Sequence, residues 1–423
     1  MEFLIISEKE FREFSENRSD CSFWQSAGMN KYKESQGCTL HFTAVKENDQ
    51  IIAGCAVIGY PTVAKMVIYH ALRGFVIDYE NEELVHFFLT HLKEYLKSQK
   101  GVYLHFNPYV WYQKRDRDGN EIEGEPKNDK LIELLKKEGC THAGFIRGFD
   151  NTTEPRWMVV MDLEGKDEKT LLKEMDQQTR WSVNRSLKYP IHEIECTTPD
   201  EIEIYAELMD QTAKRRGFES YPHSYYSDLL KYLGNDRVKI RLAQLNVADY
   251  IESLKKELMT YEAEKVEIHQ KLAEVPNSKK FIKKLKVVDE GIELTEKKVL
   301  EAHELRNAHG DVLNLAGSVF IWDKDEVIYL LSASDDTFRK IYAPYTIQWN
   351  EIRAALKAGK KKYNFYGTSG IFDESADDYG VFEFKRGFNS YVVELVGDFD
   401  LVLDSKRYHM YSGMKKIQSV IKR

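Results

Sequence analysis

The sequence predicts an α/β protein of two related domains, each a mixed sheet closed on helices, with a helical arm inserted in the second. Three observations predict it. A strand–helix–strand unit at 67–106 recurs roughly 260 residues later, at 327–365. Two heptad runs stand between a pair of strand-like segments. The chain has 423 residues and is 42% apolar, too long for one ordinary core and apolar enough to bury two.

The first landmark is Phe23-Trp24-Gln25-Ser26, followed by Met29, Lys31, Tyr32 and Lys33; it reads as the start of an amphipathic helix. Strands are predicted at 40–46 and 51–58, with Asn48-Asp49 as the turn between them. A strand at 67–72 runs into Arg73-Gly74-Phe75-Val76-Ile77-Asp78-Tyr79. The helix at 82–97 gathers Leu84, Phe87, Phe88, His91, Leu92 and Tyr95 on one face, where His91 reads as a core-edge residue. A strand at 102–106 meets Asn107-Pro108-Tyr109. The polar stretch 111–127 predicts a mobile loop, and 128–137 a helix ended by Gly139.

A strand at 157–163 precedes one helix over 168–187, on which Gln178, Trp181, Arg185 and Lys188 share a face. That basic face is either a phosphate contact or a solvated surface. A helix at 199–214 ends in Lys214-Arg215-Arg216-Gly217-Phe218, with Tyr225 and Tyr226 beyond, and 238–244 is a strand.

Ile251, Leu254, Leu258, Tyr261, Lys265, Ile268, Leu272 and Val275 alternate steps of three and four. After Pro276-Asn277-Ser278 the pattern resumes through Phe281, Leu285, Val288, Ile292, Thr295, Val299 and Ala302. Two helices near 38 Å long, at 1.5 Å per residue, therefore fold back as an antiparallel hairpin. The expected division is a first domain over 1–155, a second over 156–246 and 309–423, and the arm over 247–308. The arm contacts RNA or a partner protein, or only braces the fold; the pattern favours none of these.

The second unit comprises a strand at 327–333, a helix at 337–357 and a strand at 362–365. It brings Tyr329, Ser334 and Gln348 near the strand ends where α/β sheets bind ligands. Gly367-Thr368-Ser369-Gly370 follows, a turn that lets backbone approach a ligand closely. The aromatic segment 379–388 then carries Lys385 and Arg386, a cation on a rigid element beside that turn. The chain ends in a basic amphipathic helix, 408–423, bearing Tyr411, Met414, Ile417 and Ile421 with Lys415, Lys416, Lys422 and Arg423. Such a tail either rests on anionic lipid or packs on the body.

Net charge is −8, so any nucleic-acid contact must come from local patches. Cys21, Cys38, Cys55, Cys140 and Cys196 form no CxxC pair, which fits neither a disulfide framework nor a zinc site and suits a reducing cytoplasm. The apolar run at 3–6 is too short for a signal peptide, and no stretch has the length of a membrane span.

Tyr366-Gly-Thr-Ser-Gly370, then Tyr379-Gly-Val-Phe-Glu-Phe-Lys-Arg-Gly-Phe388, then Val396-Gly-Asp-Phe-Asp400 together resemble the C-terminal signature of the FemABX family. Arg73–Tyr79, the basic helix from Thr179 to Lys188 and the Arg215–Tyr225 element extend the resemblance along the chain. It departs from the family pattern at Asn107, where members often carry Asp, at Arg216 in place of Asp, and at Tyr221 in place of Arg. The resemblance implies two acetyltransferase-like (GNAT-like) domains. It also implies transfer of Ala, Ser or Gly from aminoacyl-tRNA to an amine on the stem peptide of a peptidoglycan precursor, either lipid II or UDP-MurNAc-pentapeptide. The acceptor is typically the lysine side chain or the growing branch. The implied enzyme is a cytoplasmic aminoacyltransferase, possible as a peripheral visitor to the membrane face, and it needs no metal or other cofactor because the ester is already activated.

On that resemblance Lys385 is the catalytic candidate for stabilising the oxyanion, and Asp78 is the candidate for the amine proton, with substrate-assisted transfer as the other route. Lys33, with Lys31 as runner-up, and Arg215 are the phosphate ligands. Tyr225, Tyr329, Gly367 and Gly370 line the substrate site, and Arg180, Arg185 and Lys188 face tRNA. Two alternatives stand beside this reading. One is an acyl-CoA-dependent N-acyltransferase, although no pyrophosphate-loop motif is present. The other is a non-catalytic interaction protein organised around the arm.

Overall fold

The computed structural model describes residues 1–16, 18–149 and 153–421. Side chains at 63 and 416–421 lie outside the described residues, as do Lys422 and Arg423 of the basic tail. β1 (Glu2–Ile5) and α1 (Glu8–Ser15) open the chain, and a 3₁₀ turn at Phe23–Gln25 leads into α2 (Ala27–Ser35). β2 (Thr39–Glu47), β3 (Gln50–Pro61) and β4 (Val67–Arg73) form an antiparallel meander. Its first turn has positive φ at both Asn48 and Asp49, the geometry that Asn and Asp tolerate best. α3 (Glu82–Ser98) crosses to β5 (Gly101–Pro108), which pairs parallel with β4. β6 (Trp111–Lys114), α4 (Asp129–Lys137) and β7 (Cys140–His142) follow.

Next come β8 (Trp157–Asp162), α5 (Glu168–Glu174), α6 (Gln177–Ser186), β9 (Ile191–Glu195), α7 (Pro199–Arg216), α8 (Ser224–Leu233) and β10 (Val238–Asn246). The arm is α9 (Val247–Glu274) and α10 (Lys279–His309). β11 (Val312–Trp322), β12 (Glu326–Ser334), α11 (Ala343–Lys357), β13 (Lys362–Thr368), α12 (Tyr379–Arg386), β14 (Tyr391–Leu395), β15 (Phe399–Val402) and α13 (Ser405–Ile421) complete the chain.

Among the described residues the strands make two mixed sheets, ordered β1-β2-β3-β4-β5-β15-β7 and β6-β14-β8-β13-β12-β11-β10-β9. In each, one parallel pair, β4·β5 or β12·β13, is joined by a crossover helix, as the repeated unit predicts. The division expected near 155 is crossed in both directions. β15, from the end of the chain, inserts between β5 and β7, where Phe399 stacks on Phe106 at 5.5 Å. β6 joins the edge of the second sheet against β14, with Trp111 edge-on to Tyr391 at 6.2 Å. The stretch from Trp111, expected as a loop, therefore begins as a strand. Each half holds a strand of the other.

Three further expectations are corrected. The helix over 168–187 breaks at Met175, whose ψ is 152°. The Asp176 N–H donates to the Gly387 carbonyl at 2.9 Å and its carboxylate pairs with Arg117 at 2.6 Å, so tertiary bonds outbid the helical ones. The helix expected from 337 is a 3₁₀ turn at Asp336–Ile341 followed by α11, because Pro344 fits only a first turn. The heptad seam buries Ile251, Leu254, Ile268, Val288, Thr295 and Ala302 as predicted, but leaves Val275 at the tip 54% exposed. Lys265–Asp289 at 2.7 Å and Lys284–Glu264 at 2.5 Å tie the arm helices together across the seam. Among the described residues no helix is long and apolar enough to cross a membrane. On α13, Tyr411 and Met414 pack against Met66, Ile68 and Val102.

Candidate active site

The site begins with an irregularity in β13. The register against β8 shifts between Asn364 and Gly367, and Tyr366 sits in the left-handed region at φ 64°. The Asn364 Oδ1 accepts from the Tyr366 N–H at 2.9 Å and holds that turn. Such a bulge re-aims a side chain, and here it sends Tyr366 out toward the first half. The Trp24 Nε1 donates to the Tyr366 hydroxyl at 2.9 Å, and that hydroxyl donates to the Glu154 carboxylate. Gly367 is needed next to it, since a Cβ there would lie 2.5 Å from Pro155. At Gly370, φ is +74° and a Cβ would enter the Trp157 ring, so this glycine serves packing rather than a ligand.

Lys385 lies on α12, 6% exposed. Its Nζ donates to the Gly367 carbonyl at 2.5 Å, and no carboxylate of the described residues is within ion-pairing distance. Burial brings its pKa down to about 8, with Asp378 pulling the other way. Asp378 itself is occupied, accepting from the Thr368 hydroxyl and the Ser369 N–H, both at 2.9 Å. Lys385 borders a cleft of about 210 Å³ with Tyr329, Phe365, Tyr366, Gly367 and Val381, roofed by Pro155. Tyr329 reaches this cleft from the middle of β12, not from a strand end.

On the first-half side, Gln25 anchors the 3₁₀ turn by donating to the Leu72 carbonyl at 2.9 Å and accepting from the Ala56 N–H at 2.9 Å. Ser26 caps α2. These bonds fix Lys33 in the last turn, its ammonium 5.6 Å from the Trp24 ring centre and beside a small recess lined by Asn30, Tyr60 and His70. No carboxylate pairs with Lys33 among the described residues, whereas Lys31 is tied to Glu34 at 2.5 Å and approaches Glu8 at 3.9 Å. Trp24 therefore links the Lys33 recess to Tyr366, and Tyr366 links it to the Lys385 cleft.

A free cation on each side of a Trp–Tyr bridge, in a chain with the motifs quoted above, invites comparison with known proteins. The FemAB family profile matches residues 6–416.

The chain belongs to the FemAB family.

Aminoacyltransferase FemA of Staphylococcus aureus (strain bovine RF122 / ET3-1) is 32% identical over 422 residues, covering the whole of both chains. FemA of the MW2 strain matches at the same identity and extent. The crystal structure of FemX superposes with a TM-score of 0.83 over 97% of this chain and 99% of that one, at 23% identity, which shows a shared fold.

The remaining candidates occupy other places in the FemAB fold. Tyr225 is buried on α8, stacked on Tyr221 at 4.2 Å and edge-on to Tyr32 of the Lys33 helix at 5.8 Å, so it packs against α2 without bordering the recess. Arg215 is committed elsewhere: it donates to the Ser334 carbonyl at 2.7 Å and pairs with Asp336 at 3.1 Å, fastening α7 to the end of β12. Asp78 is exposed in the turn before α3, where it accepts from the Glu80 N–H at 3.0 Å, and it does not border the Lys385 cleft. Arg73 of the same block does reach the middle of the site, donating to the Pro155 carbonyl at 2.7 Å. Arg180 donates to the Lys173 carbonyl at 2.9 Å, Arg185 lies 5.6 Å from the Tyr189 ring centre, and Lys188 is exposed beyond the end of α6. These three form a surface apart from the cleft. Gln348 is buried and accepts from the Tyr363 hydroxyl at 2.8 Å. Trp24, Arg73, Glu154 and Tyr366 complete the site, and none was assigned a role from sequence. Arg73 and Trp24 stand in quoted motifs that could have flagged them; nothing local marks Glu154.

Proposed function

We propose that this FemAB chain transfers an amino acid from aminoacyl-tRNA to an amine of a peptidoglycan precursor, building a peptide branch. The finer reading is Ala, Ser or Gly as donor and the stem-peptide lysine of lipid II, the nucleotide-linked precursor or the growing branch as acceptor. One observation carries it: Lys385 is a buried, unpaired ammonium on the wall of a small cleft. The reaction is aminolysis of an ester, whose tetrahedral intermediate carries an oxyanion. A fixed, buried cation stabilises that charge without reorganising. The cleft, about 210 Å³, falls below the ~300–1,000 Å³ of whole-ligand pockets, so it suits the small aminoacyl end of a larger donor.

Lys33 supports the other half of the reading. Its unpaired ammonium beside Trp24 is a point charge for a diphosphate. Binding at Lys33 with reaction at Lys385 makes positioning the main contribution of the fold. Such an enzyme works in the cytoplasm, where charged tRNA is made. The test is transfer of radiolabelled Ala, Ser and Gly from charged tRNA to lysine-containing lipid II and to the nucleotide precursor, with and without RNase. RNase-sensitive incorporation of one amino acid is expected. Incorporation from acetyl-CoA instead would overturn the reading.

A further inference from the structure

Glu154 is a carboxylate without a direct ion pair; the Arg73 and Lys33 charges act on it from beyond pairing distance. Among the described residues no Lys, Arg or His nitrogen lies within ion-pairing distance of it, although Glu394, Asp323, Asp398 and Glu351 are each paired with Arg or His in the interior. Glu326 and Glu193 also lack an ion pair, but they lie elsewhere on the second sheet, Glu326 with Tyr109 and Asn364 and Glu193 with Asn350. A half-buried carboxylate left without a direct ion pair is costly unless it has work to do.

Its position suggests that work. Glu154-Pro155 and Tyr366-Gly367 lie side by side: the Tyr366 hydroxyl bonds Glu154, and Pro155 packs against the Cα of Gly367. The Gly367 carbonyl holds Lys385, and both Pro155 and Tyr366 line its cleft. Glu154 lines neither cavity itself, but Tyr366 joins it to Trp24 of the Lys33 recess, and Tyr366 and Pro155 set it beside the Lys385 cleft, between the two ends an acceptor would occupy.

We propose that Glu154 is the general base of the transfer, taking a proton from the acceptor ammonium as it enters the cleft. This rests on the transferase reading above. The acceptor arrives as R–NH3⁺. One proton passes to a Glu154 oxygen and frees the nitrogen lone pair. That pair forms the C–N bond at the ester carbonyl carbon, and the carbonyl π electrons move to oxygen, beside the Lys385 ammonium. Collapse breaks the bond from that carbon to the ribose oxygen. Lys385 gives a proton to this oxygen and regains one from the nitrogen. Glu154 returns its proton to water, so the sum is an amide, a free ribose hydroxyl and one released proton.

The surroundings suit the role. Burial raises the Glu154 pKa, while Arg73 of β4, the Tyr366 hydroxyl of β13, Lys33 of α2 and Trp24 hold it back; the Tyr221 and Tyr225 phenols face the same carboxylate from α8 and the turn before it. A raised carboxyl and a lowered lysine at the two ends of one Tyr-Gly pair are the opposed shifts of an acid–base couple.

The test is the pH dependence of turnover for wild type, Glu154→Gln and Tyr366→Phe, with precursor affinity measured by calorimetry. Glu154→Gln keeps an acceptor for the Tyr366 hydroxyl. It is expected to lose about 10²–10⁴-fold in turnover, to lose the acid limb of the profile, and to keep its precursor affinity. Tyr366→Phe removes a bond that favours the charged carboxylate, so its acid limb should move to higher pH. Undiminished turnover in Glu154→Gln, a persisting acid limb, or a parallel loss of precursor affinity overturns the inference. Should Glu154→Gln fail to fold, an unmoved limb in Tyr366→Phe overturns it alone. Wild-type enzyme that transfers nothing overturns the proposed function itself, a result distinct from a fully active Glu154→Gln.

Discussion

The Nζ of Lys385 lies 2.5 Å from the Gly367 carbonyl oxygen, and this bond ties α12 to the end of β13. It joins a buried cation to a neutral dipole. The lysine is held in place without being neutralised, so its charge remains available to an anion that forms during reaction. A surface lysine would meet the same anion with water in competition, and a paired lysine would first have to leave its partner.

Lys385→Met is therefore expected to lower turnover by about 10²–10³-fold, the range for loss of one preorganised oxyanion donor. Precursor affinity should stay as in wild type, because the Lys33 recess is untouched. Single-turnover kinetics with calorimetric binding checks both. Equal loss of turnover and affinity would move Lys385 from the chemistry to binding.

The same burial predicts a pH limit. Lys385 must be protonated to act, and its pKa is brought down to about 8 by burial. Turnover should fall as pH rises through about 8, and Lys385→Arg, which stays charged, should lack that limb. Stability runs the other way. The folded pKa lies below the ordinary 10.5, so the unfolded chain binds the extra proton between about 8 and 10.5, and wild type gains stability over that window. Lys385→Met should not show this gain; thermal unfolding across the window measures the difference.

Lys33 and Lys31 offer a contrast within one helix. Lys33→Ala should weaken precursor binding and flatten its salt dependence, with little change in turnover at saturation. Lys31→Ala, already tied to Glu34 and near Glu8, should leave both unaltered. Affinity at two salt concentrations distinguishes them, and a larger effect at Lys31 would reverse the assignment.

The candidates that local sequence singled out are those whose placement is set by local sequence. Lys33 follows a cap and sits two turns into a helix, and Lys385 follows a glycine turn in a recognisable motif. The seam of the arm is periodic and was readable almost residue by residue. Glu154 was not, because its meaning comes from a bulge more than 200 residues away that turns Tyr366 toward it. Arg215 carried a motif yet is spent on Ser334 and Asp336, and its partners cannot be inferred from its own neighbours. The exchange of β6 and β15 between the sheets and the break at Met175 have the same origin: hydrogen bonds to distant backbone override the propensity of the segment itself.

The buried residues of the arm fall into two groups. Ile251, Leu254 and Ala302 at its base belong to the core of the second half. Ile268, Val288 and Thr295 farther out are buried only against the opposite arm helix and join no body core. Replacing 258–295 with a short Gly-Ser loop therefore removes the second group and keeps the first. The two cut ends face each other across the hairpin, as the Lys265–Asp289 pair shows for the neighbouring turn. The shortened protein should unfold near the wild-type temperature and bind precursor as wild type does, since no residue of the arm borders the Lys33 recess or the Lys385 cleft. Ile251→Asp, by contrast, buries a charge in the body core and should lower the unfolding temperature sharply. Calorimetry on both variants, with KM for charged tRNA measured on the shortened one, separates the roles left open by the heptads. A raised KM alone assigns the outer arm to tRNA. A fallen unfolding temperature makes it a brace. If neither changes, the outer arm serves a partner protein.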